Sequence, residues 1–185
     1  MRVRWITGDY DYASTQVNLP QDIAKRVMDW GKKNIPDEDL YDDDGNKGRE
    51  DNPHITILYG IVEQDPQQVI DLLEGKSKVT ATLGKVSLFE KDENDVVKIS
   101  VTSPELAEFQ KLLWDEVEHE SDYPEYEPHV TIAYVKEGSG SSYEGATAFE
   151  GTEITFDTVV FSAADGKKTS ISLSDGIAAK LHWKF

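Results

Sequence analysis

The 185-residue chain carries 36 acidic against 19 basic residues, a formal net charge of −17, with 38% apolar residues and no cysteine. That balance speaks against tight binding of long nucleic acid, which needs clustered Lys and Arg to release counterions, and the missing thiols exclude a disulfide framework, a cysteine nucleophile and a thiolate metal site. No stretch approaches the roughly 18 apolar residues of a membrane span, and Met1-Arg2-Val3-Arg4-Trp5 lacks the apolar core of a signal peptide, so a cytoplasmic, membrane-free protein is expected.

In chain order, Tyr12 to Leu19 alternates polar and apolar residues and ends at Pro20, the pattern of a strand meeting a helix start. Ile23, Ala24, Val27 and Trp30 form an apolar stripe that predicts a helix over 20–34. Ile35 to Asn52, rich in Asp, Gly and Asn, is a long connection, and loops of that length are usually functional or mobile. His54 to Tyr59 reads as a strand, and 65–74 as a helix with Val69, Ile70, Leu72 and Leu73 apolar and Gly75 as its stop. Val79 to Phe89 and Val96 to Val101 are predicted strands around a polar turn. Ser103 caps a helix expected to run to about Glu120, with Pro104 at its first position. His129 to Val135 is the next strand, followed by a Gly/Ser linker over 138–142. Two last strands, 153–162 and 169–173, flank a turn at Asp165-Gly166. This order is α+β, and it leaves no room for a large second domain, so 1–185 is read as one domain.

One feature dominates. Pro53-His54-Ile55-Thr56-Ile57-Leu58-Tyr59 and Pro128-His129-Val130-Thr131-Ile132-Ala133-Tyr134 agree at Pro, His, Thr, Ile and Tyr. Such a repeat predicts two similar lobes related by an approximate two-fold, their strands facing a shared cleft. An acidic run precedes each copy: residues 37–51 hold eight acids and two bases, and 115–127 hold seven acids and no base. Solvated loops are the plain reading; repulsion of long polyanions, leaving access for small ligands, is the functional one.

Side chains alternate along a strand, so His54 and Thr56 share one face while Ile55, Ile57 and Tyr59 are expected on the other. His129 and Thr131 stand in the same way against Val130, Ile132 and Tyr134. Paired imidazoles suit phosphoryl transfer, because one can be neutral and take a proton while the other is cationic and gives one. Each threonine hydroxyl could donate to a non-bridging phosphate oxygen. No metal is then needed. Zinc is the alternative, but no His-x-x-His or His-Glu-x-x-His spacing occurs and no third ligand is evident. His119, late in the predicted third helix, and His182, in the tail, are read as structural.

The doubled His-x-Thr motif, with its histidines 75 residues apart, resembles that of the 2H phosphoesterase superfamily, which includes bacterial 2′-5′ RNA ligase-like proteins, cyclic phosphodiesterases and phage anti-CBASS phosphodiesterases. The resemblance spans roughly Ala13 to Leu173. It implies a bilobal α+β fold, two antiparallel sheets facing a central cleft with helices outside. It makes His54 and His129 the acid/base pair and Thr56 and Thr131 the phosphate ligands, without saying which histidine is the acid. It also implies an aromatic near the cleft to stack a base. Phe89 is the best-placed candidate, Tyr10 and Tyr12 could cap the cleft, and Arg49 could clamp a phosphate. Tyr59 and Tyr134 are expected in the core. The acidic approach loops depart from the RNA ligase-like members and favour small substrates. The expectation is a cytoplasmic, monomeric phosphodiesterase that needs no cofactor and no metal. Its substrate would be a small nucleotide, a cyclic oligonucleotide messenger (immune evasion) before a 2′,3′-cyclic phosphate. Its rivals are a nucleotide-sequestering protein without turnover and a protein-interaction domain.

Overall fold

The computed structural model of the protein describes residues 11–43, 46–122 and 125–175. The chain runs β1 (Ala13–Asn18), α1 (Gln21–Asn34), β2 (Asp42–Asp43), β3 (Asn46–Lys47), β4 (His54–Ile61), α2 (Gln67–Leu73), β5 (Val79–Glu90), β6 (Asn94–Thr102), α3 (Pro104–Glu116), β7 (His129–Lys136), β8 (Glu153–Phe156), β9 (Thr158–Ser162) and β10 (Lys168–Ser172). Helix α1 buries Val27 and Gly31, with Ile23, Ala24 and Trp30 packed at the edge of the core. It stops where the Asn34 side chain donates to the Trp30 carbonyl (2.8 Å), just ahead of extended Ile35 and Pro36. Ser103 caps α3, its hydroxyl accepting from Leu106 N at 3.2 Å.

Helix α3 ends at Glu116, short of the expected Glu120. Asp115, Glu116, Glu118 and Glu120 crowd the end where the helix dipole favours cations. Residues 118–120 instead run along the edge of β4, with Val62 N donating to Glu118 O (3.1 Å) and Glu120 N to Gly60 O (2.8 Å). His119 therefore lies outside any helix. The expected strand over 153–162 is also divided, at Asp157, because β8 pairs with β5 whereas β9 pairs with β1 and β10.

Strands other than β2 and β3 form one antiparallel sheet in the order β10-β9-β1-β4-β7-β6-β5-β8. The two expected sheets are thus the halves of one, joined at a seam where β4 and β7 pair only through Ile55 and Val130. One hydrophobic cluster runs through both halves, from Val17, Ile55 and Ile57 to Ile99, Val130 and Ile132. The connections cross the seam. Helix α1 precedes β4 but packs on β7, and α3 precedes β7 but packs on β4. The fit under β7 is close: a Cβ added at Gly31 would stand 3.1 Å from Ile132 Cγ2. The acidic runs cross likewise, with Leu40 and Arg49 bridging to Val135 and Ala133 of β7, and His119 to Ile61 of β4. No described helix is long and apolar enough to cross a membrane.

Candidate active site

At the seam Ile55 and Val130 are fully buried, whereas His54, Thr56, His129 and Thr131 are half-buried on the opposite face. An antiparallel register about the Ile55–Val130 pair sets His54 beside Thr131 and Thr56 beside His129. Each imidazole is oriented in the same way. His54 Nδ1 lies 2.7 Å from the Asn52 carbonyl, and His129 Nδ1 lies 2.7 Å from the Glu127 carbonyl. A carbonyl only accepts, so both Nδ1 atoms carry their proton, and Nε2 is left to take a proton when neutral or give one when cationic. The prolines match as well: Leu19 N donates to Pro53 O and Val101 N to Pro128 O, both at 3.1 Å. The Tyr126 hydroxyl ties the two motifs together by donating to the Thr56 carbonyl at 2.9 Å.

The pairing makes the pseudo-two-fold explicit. Asn18 faces His54 and Gln16 faces Thr56, as Ser100 faces His129 and Lys98 faces Thr131. Each motif strand then bulges at the same place, with Ile57 and Ile132 skipped in the ladder. A bulge resets the alternation of faces. Leu58 and Ala133 therefore enter the core, and Tyr59 and Tyr134 turn to the face of the histidines. This corrects their expected place in the core. Tyr59 meets Tyr12 edge to face (6.3 Å between centroids). The Tyr134 pKa is pushed up to about 12, chiefly by burial and further by the Glu50 charge, against a hydrogen bond with the Thr131 side chain.

In side chains the halves differ. Lys98 is buried, its Nζ donating to Ser87 Oγ at 3.0 Å and standing 4.0 Å from the Phe89 ring centroid. Phe89 in turn meets the His129 ring at right angles, 4.9 Å between centroids. Burial lowers the His129 pKa from its ordinary 6.5, and the positive charges of Lys98 and His54 lower it further, against the Glu127 carbonyl and carboxylate. His129 is thus biased towards its neutral, proton-accepting form.

The fold brings His54, Thr56, His129, Thr131 and Phe89 to one face, with Tyr12 at the outer end of the β1–β4 half. Tyr10 and His182 lie outside the described residues. Arg49 does not reach the histidines. It donates to the Gly31 and Ile35 carbonyls and pairs with Asp37 (2.8 Å), where the partial negative charge at the C-terminal end of α1 recruits a cation. His119 is structural in its contacts: its ring packs on Trp114 (4.2 Å) and accepts from Ser121 N. The sequence reading missed Gln16, Lys98 and Ser100. For Lys98 and Ser100 the signal was a polar side chain at every second place in an otherwise apolar strand, Val97-Lys98-Ile99-Ser100-Val101.

The family model for the 2′-5′ RNA ligase superfamily matches residues 19–168. No curated protein matches the chain at a significant level. Among solved structures, TT0787 of Thermus thermophilus is similar with a TM-score of 0.65 at 14% identity, over 90% of this chain and 99% of that one. LigT of E. coli, complexed with 3′-AMP, is similar with a TM-score of 0.59 at 18% identity, over 90% of this chain and 96% of that one. A further structure described as a phosphoesterase has a TM-score of 0.56 at 18% identity, covering 89% and 96%. At these identities the likeness shows a shared fold.

Proposed function

The chain belongs to the 2′-5′ RNA ligase superfamily of 2H phosphoesterases and is a phosphodiesterase of that kind, and from this premise we propose that it cleaves a small ribonucleotide phosphodiester, best a cyclic oligonucleotide, by two-histidine acid/base chemistry without a metal. One observation carries the reading: both histidines turn Nε2 outward through matching Nδ1–carbonyl bonds, beside two threonine hydroxyls.

The neutral bias of His129 suits it to be the base, which leaves His54 as the acid. His129 Nε2 takes the proton of the ribose 2′-hydroxyl, the O2′–P bond forms, the P–O5′ bond breaks, and His54 protonates the departing O5′. The nucleophile is already tethered, so the step gains the advantage of an intramolecular reaction. Thr56 and Thr131 donate to the non-bridging oxygens as charge builds on them. The products are a 2′,3′-cyclic phosphate and a 5′-hydroxyl. The acidic runs along both motif strands favour a short substrate over long RNA. A second reading, opening of 2′,3′-cyclic phosphates, is favoured by the 3′-AMP held by the similarly folded LigT.

The test is a panel of cyclic di- and trinucleotides and 2′,3′-cyclic mononucleotides in EDTA, with products resolved by chromatography. Linear products from the cyclic oligonucleotides support the first reading, and turnover of the mononucleotides alone supports the second. Binding without product would make the protein a sequestering one, and activity lost to EDTA but restored by zinc would overturn the metal-free scheme.

A further inference from the structure

Two charged side chains are buried among the described residues, Asp95 and Lys98. Asp95 accepts from Gly140 N at 3.0 Å and is paired in the ladder with Val135, away from the histidines. Lys98 lies on the histidine face and has no such partner. One of its three N–H donors goes to Ser87, whose hydroxyl is shared with Ser100 at 2.8 Å, and the ammonium rests against Phe89. Among the described residues it forms no ion pair. Glu127 and Glu144 attract it only from beyond ion-pair distance, too weakly to offset the effect of burial, which lowers its pKa. A buried cation without a carboxylate is costly, and in a chain with 36 acids such a partner would be easy to supply. Strand pairing does not call for the charge either, because the equivalent position across the two-fold is neutral Gln16.

We propose that Lys98 is an anion ligand of the cleft: its ammonium, with Thr131 opposite, binds the non-bridging oxygens of the substrate phosphate and so draws that phosphate to the β6–β7 half. The inference rests on the phosphodiesterase reading and adds a direction to it. A symmetric pair of His-x-Thr strands would accept a substrate either way round, and a cation on one side removes that freedom. The same charge faces His129 from β6, together with His54 from β4 and Glu127 from the preceding loop. Lys98 thus holds the phosphate and favours the neutral form of the neighbouring imidazole.

Inorganic phosphate is the probe, titrated by calorimetry into wild-type protein and into Lys98→Met, Lys98→Gln and Lys98→Arg. The histidine ring resonances are followed against pH in parallel. Phosphate affinity should fall at least about tenfold in the Met and Gln variants, the loss expected for a truncated buried charge, and recover largely in Lys98→Arg. The midpoint of His129 should move to higher pH in both neutral variants. Glutamine is the residue that the other half already accommodates, so it decides the matter if the Met variant misfolds. Folded neutral variants that bind phosphate like wild type, loss of fold in both, or a wild type that binds no phosphate at millimolar concentration would each overturn the proposal. Phosphate binding needs no turnover. Unchanged variants in a protein that still cleaves cyclic dinucleotides therefore count against Lys98 alone. A wild type that binds phosphate through Lys98 but cleaves nothing counts against the proposed substrate.

Discussion

Across from Thr56 the β1–β4 half places Gln16, and across from Thr131 the β6–β7 half places Lys98. The backbones around these residues match: a proline carbonyl accepts from the partner strand, Nδ1 is fixed to a carbonyl two residues back, and a bulge follows at Ile57 and at Ile132. The side chains around them do not. Phe89 and Lys98 crowd His129, while Asn18 faces His54 and Gln16 donates to Asn18 Oδ1 at 2.7 Å. Repetition thus supplies two equivalent imidazoles, and divergence of their neighbours favours the neutral form of one of them, His129. In this site the backbone sets the geometry and the flanking strands make the two halves differ.

The strongest way to break the comparison is to remove one imidazole at a time. His54→Ala and His129→Ala should each lower the rate by about 10²–10⁴-fold, with the double variant little worse than either, because acid and base act in one step. A single variant with near-full activity would show that the halves do not act together. The hydroxyls come next. Thr56→Val and Thr131→Val should each cost on the order of 10²-fold in kcat, and an effect confined to KM would mean ground-state binding only. The pH profile sharpens the difference between the halves. Because the His129 pKa is lowered, kcat/KM should fall on the acid side only below the ordinary 6.5, giving a bell with limbs that belong to the coupled pair. A flat profile from about pH 5 to 9 would contradict the acid/base roles.

A smaller difference lies in the backbone. In β4 a second residue, Gly60, is skipped in the ladder at φ +90°, and an added Cβ would stand 3.1 Å from Ser121 N. Strand β7 has no counterpart to this kink, since Val135 pairs regularly with Asp95. Gly60→Ala should therefore cost about 1–3 kcal/mol in urea unfolding, and a neutral result would mean that the 118–121 segment yields readily. The least effect concerns the acidic runs on both edges: long RNA should be cut poorly, and somewhat better as salt screens the repulsion.

The repeat and its two polar positions were legible in the sequence because they depend on a local period of two. What lay beyond the bulge was not. One skipped residue reverses every later side chain, and nothing in Ile57-Leu58-Tyr59 marks it, so the tyrosines were expected in the core. Arg49 was misread for a different reason. Its sequence neighbours place it in a loop before His54, whereas the partners that hold it are carbonyls of α1. The crossing of each acidic run to the opposite motif strand is a tertiary fact with no local signature, and the same holds for the break at Asp157, whose two sides join opposite ends of the sheet. Lys98 sat in plain view in a strand, but its meaning depends on burial beside Phe89 and His129.

The central claim is that a histidine pair activates a hydroxyl of the substrate itself. A cyclic ribo-dinucleotide and its 2′-deoxy counterpart, incubated in EDTA under identical conditions, test it most directly. The account predicts that the ribo form is opened to a product bearing a 2′,3′-cyclic phosphate, while the deoxy form binds and stays intact. Equal cleavage of the two would mean that water attacks the phosphorus directly, and the role given to the 2′-hydroxyl would fall.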